Sequence, residues 1–492
     1  MLQDGALHLL LAHADIDRPD PVLDGGLPAE AASVVRRPFD GGLPLSRRIE
    51  SERPDDLPAQ RWGVIAPSGE LGDRLLACVQ PLIDLRQAQQ GGAPPLILRA
   101  PPDAALSQDD AQRWRDANYD ELDKDPGDRT RAEDQPAYLL ILGDLHQVPE
   151  TLHQILGSDC FVGRLAFSTQ SGEPELAGYE AYVDKLIRWE RKPADVQHAY
   201  ARFLVVDDGS SATLSSRLAL LEPALSLARR DLQLGRLPTF DPQPSSELGI
   251  VSPVELFSQA RKSGIGVLLS ASHGLGAPRG GWESVELQHQ QQGAMHFGRA
   301  GRLTGGDVAR GVFLPGGIWF MLACYSAGTP LSSHFRPWLE QLQQAGQFSE
   351  AVQKVLAGLP RPGERPFIAA LPQALLANPE GPLAFLGHLD LAWSYGFQDL
   401  STGMQRNQPE RFLNLISSLL RHHRVGVALR ELTRYIGSTN AQLTRLYSKA
   451  AETGTPMNMA QLAHLWMVRQ DLMGYLLLGD PAARLPLQAA AS

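Results

Sequence analysis

Two apolar runs, GVLLSASHG at residues 266–274 and GIWFMLACYSAG at residues 317–328, decide the fold of this chain. Each run has the length and the branched or aromatic residues typical of a strand that is buried on both faces. The first run leads into His273 and the second into Cys324. Neighbouring parallel strands lie about 5 Å apart, and ligands bind beyond their carboxyl ends. We therefore expect the two side chains to face one crevice.

Further strands and helices alternate along the chain around these two runs. ARFLVVDD (201–208) and GPLAFLGH (381–388) predict two more strands, with amphipathic helical stretches between the strands. A similar alternation precedes them, from RWGVIAP (61–67) to LAGYEAYVDKLIRWER (176–191). Strands that alternate with helices predict an α/β fold, in which a mostly parallel sheet is covered by helices on both faces.

The predicted organisation has four parts. They are an N-terminal arm (1–60), a first α/β unit (61–195), a second α/β unit with His273 and Cys324 (196–400), and a mainly helical C-terminal part (401–492) that closes with the strand-like GYLLLGDP. The arm shows little periodicity, and we expect it to wrap the first unit or to form loops. In the insertion at 274–316, WESVELQ and GAMHFG suggest a hairpin. The acidic segment 103–134 suggests a solvated connector.

Composition excludes several classes of protein and site. The chain has 492 residues and a net charge of −10, so broad attraction to nucleic acid or to an anionic membrane is not expected. Its three cysteines are too few and too far apart for a disulfide framework or a Cys-rich zinc module. We find no signal peptide, membrane span, nucleotide motif or metal-ligand spacing. A cytoplasmic protein without a cofactor or metal is the expectation.

The pairing of His273 with Cys324 suggests acyl-transfer chemistry. A neighbouring imidazole allows a thiol to act as the thiolate, or deprotonates it during attack. Gly274 directly follows the histidine, and without a side chain its N–H can approach a substrate carbonyl closely. The N–H of Cys324 would be the second oxyanion donor. Each residue alone would suggest a packing thiol or an ordinary turn, but together they indicate a catalytic dyad.

The elements SASHG and LACYSAG resemble the His-Gly and Ala-Cys motifs of caspase-like (clan CD) cysteine peptidases. Within that clan the sequence resembles gingipain-like peptidases and bacterial CHAT domains, over roughly residues 200–400. The resemblance implies a caspase-like αβα sandwich preceded by a degenerate α/β subdomain, for which 61–195 is the candidate. It also implies endopeptidase activity, with His273 as base, Cys324 as nucleophile and Gly274 as oxyanion donor.

Four further residues are candidates for binding substrate. Asp207 and Asp208 end a strand whose tip lines the S1 pocket in caspase-like enzymes, so the resemblance suggests a basic P1 preference. The same pair would serve equally well as a turn that caps the next helix. His388 and Asp390 follow the strand at 381–388, where they would orient substrate, polarise His273, or form a local polar cap beneath Trp393.

The expected function is hydrolysis of peptide bonds in a protein substrate, in a regulated protease. The 274–316 insertion, the N-terminal arm and a regulatory protein partner are the candidates for controlling access to the crevice. The alternative is a non-catalytic caspase-like scaffold that binds partners through its two α/β units and its acidic surface.

Overall fold

The computed structural model describes residues 6–16, 19–34, 53–101, 106–118, 135–169, 171–192, 198–238, 240–243, 245–262, 264–346, 348–399, 406–454 and 458–488. The strands, numbered in chain order, are β1 (Ala6–Leu7), β2 (Leu11–His13), β3 (Leu27–Pro28), β4 (Trp62–Pro67), β5 (Leu96–Ala100), β6 (Tyr138–Leu142), β7 (Phe161–Leu165), β8 (Tyr200–Val206), β9 (Asp241–Pro242), β10 (Gly249–Ile250), β11 (Gly266–Ala271), β12 (His273–Gly276), β13 (Met295–His296), β14 (Arg302–Leu303), β15 (Ile318–Leu322), β16 (Gly328–Thr329), β17 (Phe367–Ile368), β18 (Ala384–His388), β19 (Gln398–Asp399), β20 (Arg406–Asn407) and β21 (Tyr475–Leu478).

The helices are α1 (Leu57–Gln60), α2 (Glu70–Gln89), α3 (Gln108–Asn118), α4 (Glu150–Gly157), α5 (Leu176–Arg191), α6 (Ser211–Ser216), α7 (Glu222–Gln233), α8 (Pro253–Ala260), α9 (Val285–Gln291), α10 (Gly305–Val308), α11 (Arg336–Gln344), α12 (Ser349–Ala357), α13 (Ala370–Ala377), α14 (Glu410–Leu420), α15 (Val425–Thr453) and α16 (Met459–Met473). Of the acidic segment predicted as a connector, residues 103–105 and 119–134 lie outside the described residues, and residues 106–118 contain α3.

One large sheet forms the core of the described chain. Its eleven strands include the path β10-β8-β11-β15-β18-β21-β7-β6-β4-β5, with β9 beside β8. Strands such as β4, β6, β8, β15 and β18 are buried along their whole length, so both faces of the sheet are covered. The predicted fold class, α/β with a mostly parallel central sheet and C-terminal helices, is confirmed.

Strand β21 joins the two halves of this sheet. It pairs antiparallel with β18, where Leu478 is opposite Phe385, and parallel with β7, where Leu478 is opposite Arg164. The strands of the first unit therefore run opposite to the parallel strands of the second unit. The apolar run at 474–481 predicts the strand but not its central position, because a four-residue strand contains no information about its partners.

The neighbouring strands that lead to His273 and Cys324 are arranged as predicted. Strands β11 and β15 pair in parallel up to Ala271 and Leu322, so their carboxyl ends lie side by side. Beyond them, β12 belongs to a second sheet with the order β14-β13-β12-β2.

The N-terminal arm differs in part from its prediction. Residues 53–60 lie on the first unit, where the Tyr138 hydroxyl donates to the Pro54 carbonyl at 2.7 Å. Residues 6–14 lie instead on the second unit, because β2 pairs in parallel with β12. Residues 1–5 and 35–52 lie outside the described part of the arm.

One local prediction is wrong. WESVELQ does not form a hairpin strand, because Ser284 caps α9 by accepting a hydrogen bond from the Leu287 N–H at 3.1 Å. Its predicted partner, β13, pairs with β12 and β14 instead. The helical stretch 211–233 is continuous through Pro223, with one π-helical turn, Arg217–Leu221, shortly before this residue, which cannot donate a backbone hydrogen bond.

The three cysteines are all free thiols. Cys160 and Cys324 are buried, and Cys78 is partly buried and packs against the hydrophobic core. None of the described helices combines the length and the apolar character needed to cross a membrane. The described residues also contain no group of three or more His, Cys, Asp or Glu side chains suited to a metal ion.

Candidate active site

Cys324 lies in a sharp turn just beyond β15. Its side chain is fully buried, and its Sγ accepts a hydrogen bond from the Ala392 N–H at 3.1 Å. The next residue, Tyr325, has a φ of 56°, in the left-handed region that non-glycine residues rarely adopt. The Tyr325 N–H donates to the Asp390 carbonyl at 3.0 Å. Backbone contacts with the segment after β18 therefore hold the turn and fix the position of the thiol.

His273 lies beyond the neighbouring strand β11 and begins β12. Its ring is fully buried, with Nε2 2.8 Å from the Ser210 Oγ and 3.6 Å from an Asp208 carboxylate oxygen. Its other nitrogen, Nδ1, is buried without a hydrogen-bond partner among the described residues. Ser210 and Asp208, in the loop after β8, thus hold one of the two ring nitrogens.

The backbone N–H groups of Gly274 and Cys324 converge on one oxygen atom. They donate to the carbonyl of Leu10 at 3.0 and 3.1 Å. These are the two donors predicted from the sequence, and the distances match those of donors that stabilise a developing oxyanion. The structure thus brings Gly274, Cys324 and a peptide carbonyl together next to the thiol.

Gly274 packs directly against the backbone of Cys324. A Cβ added at Gly274 would lie 1.8 Å from the Cys324 carbonyl oxygen and 3.1 Å from the Cys324 nitrogen. The first distance is far below van der Waals contact, the second is tighter than most Cβ contacts, and both involve backbone atoms that cannot rotate away. Any side chain at this position would force the two donor N–H groups apart.

We therefore expect Gly274→Ala to lower kcat for peptide hydrolysis by about 10²-fold, the effect of losing one oxyanion donor. Gly280→Ala is the matched control, because a Cβ there meets nothing within 4 Å. Steady-state kinetics on one fluorogenic peptide would compare the two variants. Equal rates for the two variants would contradict the assignment of Gly274 as a donor.

Burial keeps both reactive side chains uncharged in this closed form. It raises the pKa of the Cys324 thiol well above its usual range. It also lowers the pKa of His273, an effect that the charge of Asp208 partly opposes. The closed form therefore disfavours the thiolate–imidazolium pair, and we expect any reaction within it to be slow.

Asp207 and Asp208 have different surroundings. Asp208 is nearly buried, accepts hydrogen bonds from the Thr213 hydroxyl at 2.7 Å and the Ser210 N–H at 3.0 Å, and faces His273. The Asp207 side chain is 57% exposed and lies 3.8 Å from Arg217. The Asp208 contacts fit the alternative of a turn that caps the next helix, and they add a contact with the catalytic candidate. A basic P1 pocket formed by this pair stays a prediction.

The charge of Asp208 provides a test of its role in positioning His273. Asp208→Asn removes the charge that raises the pKa of His273, so we expect that pKa to fall further. If neutral His273 accepts the thiol proton, the acidic limb of the pH profile of kcat/KM should move to lower pH. Asp207→Asn is the control and should leave the profile in place. Identical acidic limbs for the wild type and Asp208→Asn would overturn this role.

His388 and Asp390 lie beneath the nucleophile turn. The two ring nitrogens of His388 lie 2.8 Å from the Asp390 carbonyl and 2.9 Å from the Asp471 carbonyl. The Asp390 carboxylate accepts hydrogen bonds from the His334 N–H at 2.7 Å and the Ser333 hydroxyl at 3.0 Å. Burial lowers the pKa of His388 to about 4 and raises that of Asp390 to about 6. These contacts form a buried polar cluster; the cap beneath Trp393 and a role in binding substrate both stay predictions.

Three residues of the site were not found from the sequence. Ser210 caps α6 by accepting a hydrogen bond from the Thr213 N–H, and its position after DDG at a helix start was the available signal. Ala392 contacts the thiol only through its backbone, so its residue type gave no signal. Leu10 belongs to a short apolar stretch whose partner lies more than 250 residues away.

The structure is similar to the crystal structure of the Arg-specific cysteine proteinase gingipain R (RGPB). The TM-score is 0.44 and the sequence identity 13%, over 89% of this chain and 80% of that chain. No protein-family model matches the chain, and no curated protein matches its sequence. The catalytic roles proposed below for His273, Gly274 and Cys324 therefore rest on the geometry of this chain.

Proposed function

We propose that the chain is a cysteine endopeptidase with Cys324 as nucleophile and His273 as proton carrier. One observation supports this above all others: two backbone donors beside a thiol and an imidazole converge on a peptide carbonyl. The N–H groups of Gly274 and Cys324 would stabilise the negative charge that develops on that oxygen during attack. The substrate class is a protein or peptide.

The proposed reaction has two stages. The Cys324 Sγ attacks the carbonyl carbon, a C–S bond forms, and the thiol proton passes to His273. The C–N bond then breaks, and His273 gives this proton to the leaving amine. Water next attacks the thioester, releases the carboxylic acid and restores the thiol. These steps require no cofactor.

The finer parts of the proposal concern specificity and setting. Membership of the bacterial CHAT group, a cytoplasmic location and a regulatory protein partner are proposed from the motif resemblance. A P1 preference for Arg or Lys would require a free carboxylate in the pocket. Since Asp208 faces His273 and Asp207 faces Arg217, neither side chain stands ready for that role.

One observation favours the scaffold alternative. The side chains of His273 and Cys324 are both 0% exposed, so a substrate cannot reach them in this form. A pure scaffold would never open the crevice, whereas a peptidase must open or clear it. A peptidase should therefore show bond cleavage that depends on Cys324 and accumulates with time, and a scaffold should show none.

A peptide library provides the test of the proposed function. The purified chain is incubated with the library over many hours, and new peptide termini are identified by mass spectrometry. We expect termini that appear with the wild type and not with Cys324→Ala, and the residue before each cut gives the P1 preference. If the wild type and Cys324→Ala produce the same termini at every time point, the proposed peptidase activity is refuted.

A further inference from the structure

Residues 6–14, here called the strap, pass through the catalytic crevice. On one side of the thiol, Leu9 pairs antiparallel with Trp393, and the Leu10 N–H donates to the Ala392 carbonyl at 3.1 Å. On the other side, β2 pairs in parallel with β12, with Leu11 opposite Gly274. Extended peptides bind many proteins by adding a strand in this way. The strap is therefore bound through its backbone on both sides of Cys324.

The register of the strap identifies one peptide bond. The Leu10 carbonyl accepts both proposed oxyanion donors, at 3.0 and 3.1 Å. The Ala392 N–H contacts the Cys324 Sγ at 3.1 Å, while the Ala392 carbonyl receives the Leu10 N–H. Cys324 and Leu10 are thus both hydrogen-bonded to the backbone of Ala392. The Leu10–Leu11 bond is therefore the peptide bond whose carbonyl accepts the two proposed oxyanion donors.

Contacts on both sides hold this register. On the N-terminal side of Leu10, two hydrogen bonds join His8 to Ser394. The His8 N–H donates to the Ser394 hydroxyl at 3.2 Å, and the Ser394 N–H donates to the His8 carbonyl at 3.0 Å. After it, Arg279 lies 3.2 Å from the Asp15 carboxylate and 2.9 Å from the Asp20 carboxylate. A shift by one residue would break the pairing on both sides and remove the Leu10 carbonyl from its two donors.

We propose that the strap is the peptidase's own first substrate and that the chain cleaves itself between Leu10 and Leu11, an inference that rests on the proposed function. The Cys324 Sγ bonds to the Leu10 carbonyl carbon, and the bond from that carbon to the Leu11 nitrogen breaks. His273 transfers the thiol proton to the new amino group of Leu11. Water then hydrolyses the thioester, so the residues up to Leu10 leave with a free carboxyl group and the crevice is open.

The strap also indicates the class of later substrates. Leu9, Leu10 and Leu11 are at most 2% exposed, so the crevice encloses apolar side chains on both sides of the bond. A charged side chain enclosed there without a partner would lose its hydration without compensation. The substrate class is therefore an extended peptide with leucine or a similar apolar residue before the cut, in place of Arg or Lys.

The purified full chain tests self-cleavage directly. Intact mass and N-terminal sequencing over hours should show a new N-terminus at Leu11, at a rate independent of protein concentration. The Cys324→Ala chain should stay intact. Leu10→Asp should slow the cut more than about tenfold because a buried unpaired charge is unfavourable, whereas Leu10→Met, which stays apolar, should be cut. A thermal melt by circular dichroism confirms that each variant is folded.

A second readout separates this proposal from the proposed function. The peptide Leu-His-Leu-Leu, which copies residues 7–10, is supplied as a coumarin amide to the Leu10→Asp chain, whose strap we expect to bind poorly. Release of coumarin together with a wild-type chain that stays intact would overturn self-cleavage and leave the peptidase standing. An intact wild-type chain and no release would overturn both. A cut at another bond, or a rate that rises with protein concentration, would overturn cleavage of Leu10–Leu11 within one chain.

Discussion

Replacing Cys324 with alanine is expected to lower peptide hydrolysis by at least about 10³-fold, because the variant has no atom that can form the thioester. The strap of the Cys324→Ala chain is expected to stay uncut and to keep both backbone donors occupied, so we expect no residual catalysis from those donors. The measurement is kcat/KM on one fluorogenic peptide with leucine before the cut, after the wild-type chain has been incubated to completion of self-cleavage.

The other two cysteines provide matched controls for this variant. Cys160 lies beside β7 with its Sγ 4.0 Å from the Pro136 carbonyl, and Cys78 lies on α2 with its Sγ 3.8 Å from the Glu180 carboxylate. Neither belongs to the crevice, so Cys160→Ala and Cys78→Ala should keep the wild-type rate. A Cys324→Ala protein as active as these controls would remove Cys324 from the mechanism.

Asp480→Ala should lower the free energy of unfolding by about 1–3 kcal/mol, the cost of leaving buried polar groups without one of their partners. The Arg86 guanidinium is fully buried, and its Nε donates to the Asp480 carboxylate at 2.8 Å. The other carboxylate oxygen of Asp480 accepts the Trp62 indole N–H at 3.0 Å. The variant would leave that indole unpaired and would leave Glu190 as the carboxylate facing Arg86.

Urea unfolding monitored by fluorescence measures this loss. Glu350→Ala is the control, because Glu350 is 86% exposed and its ion pair with Lys354 is a surface pair worth less than about 1 kcal/mol. Self-cleavage should be blocked in both proteins by adding Cys324→Ala, so that the two curves report folding alone. A difference below about 1 kcal/mol between the two variants would contradict a structural role for the Arg86–Asp480 pair.

The positions of His273 and Cys324 could be predicted because each follows a long apolar run. Such runs identify buried strands, and the carboxyl ends of neighbouring parallel strands must lie at one edge. The neighbouring placement of β11 and β15 is confirmed. The convergence of the Gly274 and Cys324 N–H groups follows from the same logic, since both residues lie directly beyond these strand ends.

The strap and the Arg86–Asp480 pair could not be predicted for one shared reason. Each depends on partners that are remote in sequence, 264 positions apart for His13 and Ala277 and 394 for Arg86 and Asp480. The Asp480 carboxylate accepts the Ala482 N–H at 3.0 Å, a local contact typical of an aspartate in a turn. Local composition contains nothing about the guanidinium on the other side of that carboxylate.

The position of β21 determines how late in its synthesis the protein can complete the large sheet. This strand is made after every other described strand of the large sheet, yet it lies between β18 and β7. A nascent chain that ends before Tyr475 therefore has two half-sheets with unpaired edges and no closed core. Synthesis at about 5–20 residues per second brings β21 out last. Under the proposed function, translation itself therefore delays proteolytic competence until β21 has been made.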